Sequence, residues 1–260
     1  MHVISLGAGV QSTTMALMAA HGEIEPMPDA AIFADTGWEP RAVYEHLAWL
    51  EGVLPFPVHR VTSGNLRDDV MTGENSTGHA FATLPLYVRD LTGARKSVML
   101  RRQCTREYKV KPLNVKLREL GATHKTPATT WLGITVDEAQ RMKPSRVKYS
   151  VHRWPLVESR MTRHDCLVWM ARNDYAEPPR SACVGCPFHS DAEWRAIRDN
   201  RETWADAREV DGAIRHLPRI EGEAYLHRQL VPLDEVDLST EEDRGQLSLW
   251  GNECEGMCGL

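Results

Sequence analysis

The sequence predicts an α/β protein with a doubly wound, mostly parallel sheet and helices on both faces. Two observations predict it. Short apolar runs alternate with segments of helical spacing, and parallel strands need such crossover connections. The 260 residues, 42% of them hydrophobic, are also enough to bury the core that a sheet covered on both faces requires.

In order along the chain, His2–Leu6 reads as a strand that runs into Gly7-Ala8-Gly9 and then a helix from about Gln11 to His21. Ala30–Ala34 is a second buried strand, ended by Asp35-Thr36-Gly37. Pro40–Glu51 then carries Val43, Leu47 and Leu50 at helical spacing. Val58–Val61 is a third strand. From Ser63 to Met99 no period is sustained and Gly64, Gly73, Gly78 and Gly93 recur, so this stretch reads as a long loop, a lid over the site. Val110–Leu120 is a helix with Leu113 and Leu117 on one side, and Thr130–Ile134 is a strand. Arg163–Asn173 is a helix, and Asp191–Glu209 a polar one bearing Trp194, Ile197 and Trp204. No repeat or low-complexity linker interrupts this order. One domain over residues 1–240 and a C-terminal cysteine tail over 241–260 follow.

The 26% charged residues and the absence of long apolar runs exclude disordered, collagen-like and membrane-spanning classes, since a span needs ~18 apolar residues. The cytoplasm is the expected compartment. A net charge of −5 argues against a surface coated for gripping long nucleic acid. Yet Arg89–Arg118 holds ten Lys/Arg against two acids, whereas Asp191–Arg244 holds fifteen acids against eight arginines. One basic segment sits inside an acidic chain, and guanidinium forks suit phosphate or sulfate.

Four constellations carry chemistry. Ser5–Thr14 places Gly7, Ala8 and Gly9 before Gln11 and Ser12, a strand–glycine turn–helix whose backbone amides form an anion nest. It fits neither the Walker pattern nor the dinucleotide fingerprint. Asp35, Thr36 and Gly37 follow a strand, where ligands of open α/β sheets sit, and Asp35 can equally cap the next helix. Arg101–Pro112 sets Cys104 among Arg101, Arg102, Arg106, Lys109 and Lys111, cations that favour a thiolate. Cys183 and Cys186 form a C-x2-C pair able to reach one metal centre, which is half a site. Cys166, on an apolar helical stretch, reads as a small core residue.

Taken in order, these motifs resemble the sulfonucleotide (APS/PAPS) reductase branch of the adenine nucleotide α-hydrolase, or PP-loop, superfamily. Ser5–Ser12 is similar to the family's loop, and Asp35–Gly37 with Tyr44 to its Asp-Thr-Gly and tyrosine. Lys109–Pro112 resembles its Lys-Val-x-Pro helix start, and Gly133–Arg141 its Gly-x4-Glu-x2-Arg stretch. The resemblance implies a PP-loop fold that binds adenine nucleotide through Ser5, Gly7, Ala8, Gly9, Gln11, Ser12, Asp35, Thr36, Gly37 and Gly133. Substrate anion would be held by Arg101, Arg102, Arg106, Lys109 and Arg141. It further implies a [4Fe–4S] cluster on Cys104, Cys183 and Cys186. Gln103 stands where the family has a fourth cysteine, and His189, Cys254 and Cys258 are the candidates to replace it.

The family's tail cysteine is matched by Cys258, with Cys254 as resolving thiol, although this chain carries two tail cysteines and no terminal histidine. The implied reaction is thiolate attack on the sulfur of APS or PAPS, with a thioredoxin-like partner releasing sulfite. The alternative within the superfamily is ATP-dependent sulfur transfer to nucleic acid, as in tRNA thiolation or DNA phosphorothioation, with Arg89–Arg118 meeting the phosphate backbone. The oligomeric state is left open, a homodimer included.

Overall fold

The computed structural model describes residues 1–74, 84–89, 97–218 and 220–240. The tail 241–260, with Cys254 and Cys258, lies outside the described residues, as do Gly78 and Gly93 of the expected lid. In chain order the elements are β1 (His2–Leu6), α1 (Val10–Ala20), β2 (Ala30–Asp35), α2 (Arg41–Val53), β3 (Val58–Thr62), α3 (Leu66–Thr72), β4 (Tyr87–Arg89) and β5 (Ser97–Met99). A π-helical stretch, Thr105–Val110, leads into α4 (Lys111–Glu119), followed by β6 (Ala128–Leu132), a 3₁₀ turn at Val136–Arg141 and β7 (Ser150–Arg153). Helices α5 (Pro155–Glu158), α6 (Arg163–Arg172), α7 (Asp191–Asp199) and α8 (Arg201–Ala213) precede β8 (Glu223–Tyr225).

The chain forms two compact units. The first comprises Met1–Ser63 and Arg106–Ser181, the second Gly64–Thr105 and the described residues from Ala182 on. In the first unit five strands pair in the order β3-β2-β1-β6-β7, every pair parallel. The alternation of side chains along a strand divides its core in two. Ile4, Phe33 and Trp131 face one side, where they pack with Met15 and Leu17 of α1, Leu47 of α2 and Met170 of α6. Val3 and Ile32 face the other, against Leu117 of α4. Strands buried on both faces read as continuous apolar runs, which is why Ala30–Ala34 lacks alternation.

In the second unit β5, β4 and β8 make a three-stranded antiparallel sheet. Asp211, buried in α8, accepts from the Leu226 and Leu233 amides and pairs with Arg215, fixing the chain around β8.

Three expectations are corrected. The stretch Ser63–Met99 is not all loop: Asn65 accepts from the Arg67 and Asp68 amides and starts α3, and β4 and β5 follow. The polar helix over Asp191–Glu209 is two helices. Asn200 is extended at φ −95° and ψ 107°, ends α7, and caps α8 through the Thr203 amide. The strand expected at Thr130–Ile134 starts two residues earlier, at Ala128, where its amide bonds to the Tyr149 carbonyl beside β7.

Candidate functional site

The carboxyl ends of β1, β2 and β6 carry most of the nucleotide-site residues expected from the sequence. Beyond Ser5, which pairs with Ile32 and Leu132 inside the sheet, the chain turns through Gly7-Ala8-Gly9. Ala8 is fully buried and left-handed at φ 57°, a conformation that costs a non-glycine residue about 1–2 kcal/mol. Ser12 holds the turn closed: its Oγ accepts from the Gly7 amide at 3.2 Å and donates to the Gly9 carbonyl at 3.3 Å. Helix α1 begins with neither a side-chain cap nor an acidic residue in its first turn. Its positive dipole end is thus not neutralised from within the helix.

Strand order reverses at β1, with β2 and β3 on one side and β6 and β7 on the other. Open α/β sheets bind ligands at such a reversal. Here the loop after β6 presses onto the first turn of α1. A Cβ on Gly133 would lie 2.9 Å from the Ser12 nitrogen and 3.0 Å from its Cα, so only glycine fits. Gln11 Nε2 donates to Glu138 Oε2 at 3.4 Å, and the other oxygen of Glu138 pairs with Arg141. The Gly-x4-Glu-x2-Arg stretch is therefore a clasp on the glycine loop, and Arg141 is engaged in that clasp.

After β2, Asp35 Oδ1 accepts from the Gly37 amide and the Tyr44 hydroxyl, both at 2.8 Å. Burial, then the hydrogen bond to Asp35, pushes the Tyr44 phenol well above its ordinary pKa, so it remains a donor. Thr36, fully buried, donates to Glu39 Oε1 at 3.2 Å. The Glu39 side chain is 1% exposed and pairs with the Lys109 ammonium at 3.4 Å. Asp35 thus braces its own loop rather than the helix start, while Lys109, expected to hold substrate anion, ties the π-helical stretch to that loop.

Gly9 behaves differently from expectation. Its missing side chain faces the protein's own Ser181, whose Cβ would be 3.3 Å away. Nothing in the local sequence announces that residues 179–181 return to cover the loop. Glu39 was also missed, because a carboxylate four residues past a strand reads as solvated. The Gly133-to-Arg141 spacing was the available signal for Glu138.

The cysteines separate in kind. Cys166 is fully buried, and burial pushes its thiol up to about 12. Cys104, Cys183 and Cys186 lie in the second unit, Cys104 partly exposed and the other two buried. The Cys186 amide donates to the Cys183 carbonyl at 3.0 Å, closing the C-x2-C turn. His189 Nε2 lies 3.0 Å from the Cys183 carbonyl and 3.2 Å from that of Val184. Carbonyls only accept, so this nitrogen carries hydrogen and braces the turn. Among the described residues no group of three or more His, Cys, Asp or Glu side chains could hold a metal ion. This arrangement gives Cys104, Cys183 and Cys186 no three-ligand site for a single ion. Of the remaining expected cations, Arg101 is exposed and Arg102 lies over the Phe188 ring at 5.7 Å, both in the second unit. Arg106 is exposed on the π-helical stretch of the first.

Among the described residues no helix is long and apolar enough to cross a membrane. No protein-family model and no curated protein matches the chain. Among solved structures, a phosphoadenylyl-sulfate (PAPS) reductase from Candida auris, crystallised as a phosphate complex, aligns at 11% identity. The alignment covers 68% of this chain and 75% of that one, with a TM-score of 0.45.

Proposed function

We propose that the first unit binds an adenine nucleotide and that the protein is a sulfonucleotide-reductase-type enzyme. The observation that carries the binding half is the contact of Gly133 with the Ser12 backbone at the strand reversal. It brings two loops together over one uncapped helix end, an arrangement that receives phosphate. On this reading the Gly7–Ser12 amides take the α-phosphate and Asp35–Gly37 flank the adenosine. The exposed Arg106 completes the anion's surroundings, and Lys109 and Arg141 act by holding the loops.

The chemical half rests on the motif resemblance and the tail. The Cys258 thiolate would attack the sulfur of APS or PAPS, breaking its bond to the phosphate oxygen and releasing the nucleotide. The resulting thiosulfonate would be reduced by a thioredoxin-like dithiol, with Cys254 as resolving thiol, and sulfite would leave.

The test is a thermal-shift and turnover panel with AMP, ATP, APS and PAPS. Stabilisation by a sulfonucleotide, with sulfite release that Cys258→Ser abolishes, is the expected result. Pyrophosphate release from ATP that depends on added RNA or DNA would favour sulfur transfer to nucleic acid instead.

A further inference from the structure

Between Glu138 and Glu158 the chain carries five Lys/Arg and no acid. Three of them, Lys143, Arg146 and Lys148, fall on the segment before β7, and all three are exposed. His152 Nδ1 donates to the Lys143 carbonyl at 2.8 Å, and Ser145 Oγ accepts from the Val147 amide at 3.2 Å. The segment is thus tied to β7, the edge strand of the parallel sheet, and its charges are held in place. Two more exposed cations come from earlier in the first unit: Arg118 from the last turn of α4 and Lys125 from the loop before β6. Among the described residues none of Arg118, Lys125, Lys143, Arg146 and Lys148 forms an ion pair, and Glu119, next to Arg118, is engaged by Lys116 at 3.2 Å.

Exposed positive charge by itself suits any polyanion, and a pair of rings in the same place narrows the choice. Tyr149 packs against the core around Leu117 and Ala128, and the exposed His124 lies nearly parallel to it, with ring centroids 6.2 Å apart and planes at 12°. The Arg118 guanidinium lies 5.9 Å from the centre of the Tyr149 ring. A hydroxyl–hydroxyl bond of 2.8 Å between Thr123 and Thr126 closes the turn that carries His124 and Lys125. Charges at a sheet edge also deter strand pairing, but that task needs no ring pair. Flat rings among cations match bases joined by phosphates, because every base has a π-face. Lys125 precedes β6 and Lys148 precedes β7, and these strands run parallel, so the surface gathers at the amino end of the sheet. The loops after β1, β2 and β6 lie at the other end.

We propose that this surface binds single-stranded nucleic acid, with the His124–Tyr149 ring pair stacking a base and the surrounding exposed cations taking its phosphates. The assignment does not rest on the nucleotide reading, since it uses other residues at the opposite end of the sheet. Duplex is the weaker ligand, because its bases are already stacked on one another. Little sequence preference is expected: stacking tolerates every base, and phosphate contacts carry no sequence information.

The test is fluorescence anisotropy of the full chain with a labelled oligothymidylate of about 12 nucleotides. Binding is expected at low salt, weakening as salt rises with a log–log slope of about −0.7 per phosphate neutralised. Joint Arg146→Gln and Lys148→Gln substitution should make that slope shallower by about 1.4 and lower affinity about tenfold or more at low salt. His124→Ala should lower affinity about tenfold at unchanged slope, the worth of one stacked base. All three side chains are exposed, so an unchanged melting temperature shows that each variant is folded. Saturating AMP should leave oligonucleotide binding as it was; displacement by AMP would put the strand at the other end of the sheet and overturn the proposal. No binding at low salt, or binding that neither variant alters, would overturn it as well. Polyglutamate of matched charge binding equally well would assign the surface to an acidic protein segment, and preferential capture by phosphatidylserine vesicles would assign it to a membrane. Either result would contradict the nucleic-acid reading.

Discussion

Gly133 and Ser12 approach more closely than any side chain at position 133 permits, since a Cβ there would lie 2.9 Å from the Ser12 nitrogen. The atoms it would meet are backbone and cannot swing aside. Gly133→Ala is therefore expected to cost about 1–3 kcal/mol by overpacking. It should also push the first turn of α1 out of place, so nucleotide affinity should fall as well. Urea denaturation and titration with AMP measure the two effects, and a variant of unchanged stability would show that the loop after β6 yields freely.

A second prediction concerns the pair formed by Glu39 and Lys109. Lys109→Met leaves a carboxylate that is 1% exposed without its cation, a change that costs about 3–5 kcal/mol for a fully buried pair. Lys109 is 38% exposed, so the loss should be smaller, on the order of 2 kcal/mol. Adding Glu39→Gln should recover part of it in a double-mutant cycle. Additive losses would mean that the two charges do not interact.

Much of the first unit was legible because its signals are local. Gly7-Ala8-Gly9 and Asp35-Thr36-Gly37 each mark a strand end, and the apolar runs before them are long enough to see. The fifth strand, Ser150–Arg153, was not legible: it lies at the sheet edge with His152 and Arg153 only partly buried, so it lacks an apolar run. The antiparallel strands Tyr87–Arg89, Ser97–Met99 and Glu223–Tyr225 are three residues each, too short to show a period, and one pairing joins residues more than a hundred positions apart. The site follows the same division. The turns were readable, whereas Ser181 against Gly9 and Glu39 against Lys109 depend on tertiary contact.

Cys166 provides a chemical check on burial. A thiol pushed up to about 12 holds almost no thiolate at pH 8, and the thiolate is the species that alkylates. Iodoacetamide at pH 8 should therefore leave Cys166 unmodified in the native protein and label it fully in denaturant, as read by peptide mass spectrometry. Native labelling comparable to that of Cys104 would show that α6 opens readily.

Stability should decline on the acid side of neutrality. Burial is the largest cause holding His2, His46, His59 and His227 below the ordinary imidazole pKa of ~6.5, with Asp191 partly opposing it at His227. The unfolded chain then binds more protons than the folded one below ~6.5, so stability rises with pH there. This contribution is complete above ~6.5 and is lost as pH falls through the lowered folded-state values. Melting temperature should drop progressively from pH 7.5 to 5. His46→Asn should reduce the slope, since burial holds the His46 imidazole below its ordinary pKa. A flat profile would contradict the account.

The central claim is that adenine nucleotide sits where the loops after β1, β2 and β6 meet the carboxyl end of the parallel sheet. Hydrogen–deuterium exchange of the full chain, with and without saturating adenosine 3′,5′-bisphosphate, tests it most directly. The account predicts slowed exchange in peptides covering Gly7–Ser12, Asp35–Gly37 and Gly133–Glu138, with little change on the strands' amino-terminal side. Protection confined to other segments, or none at a concentration where calorimetry shows binding, would contradict it.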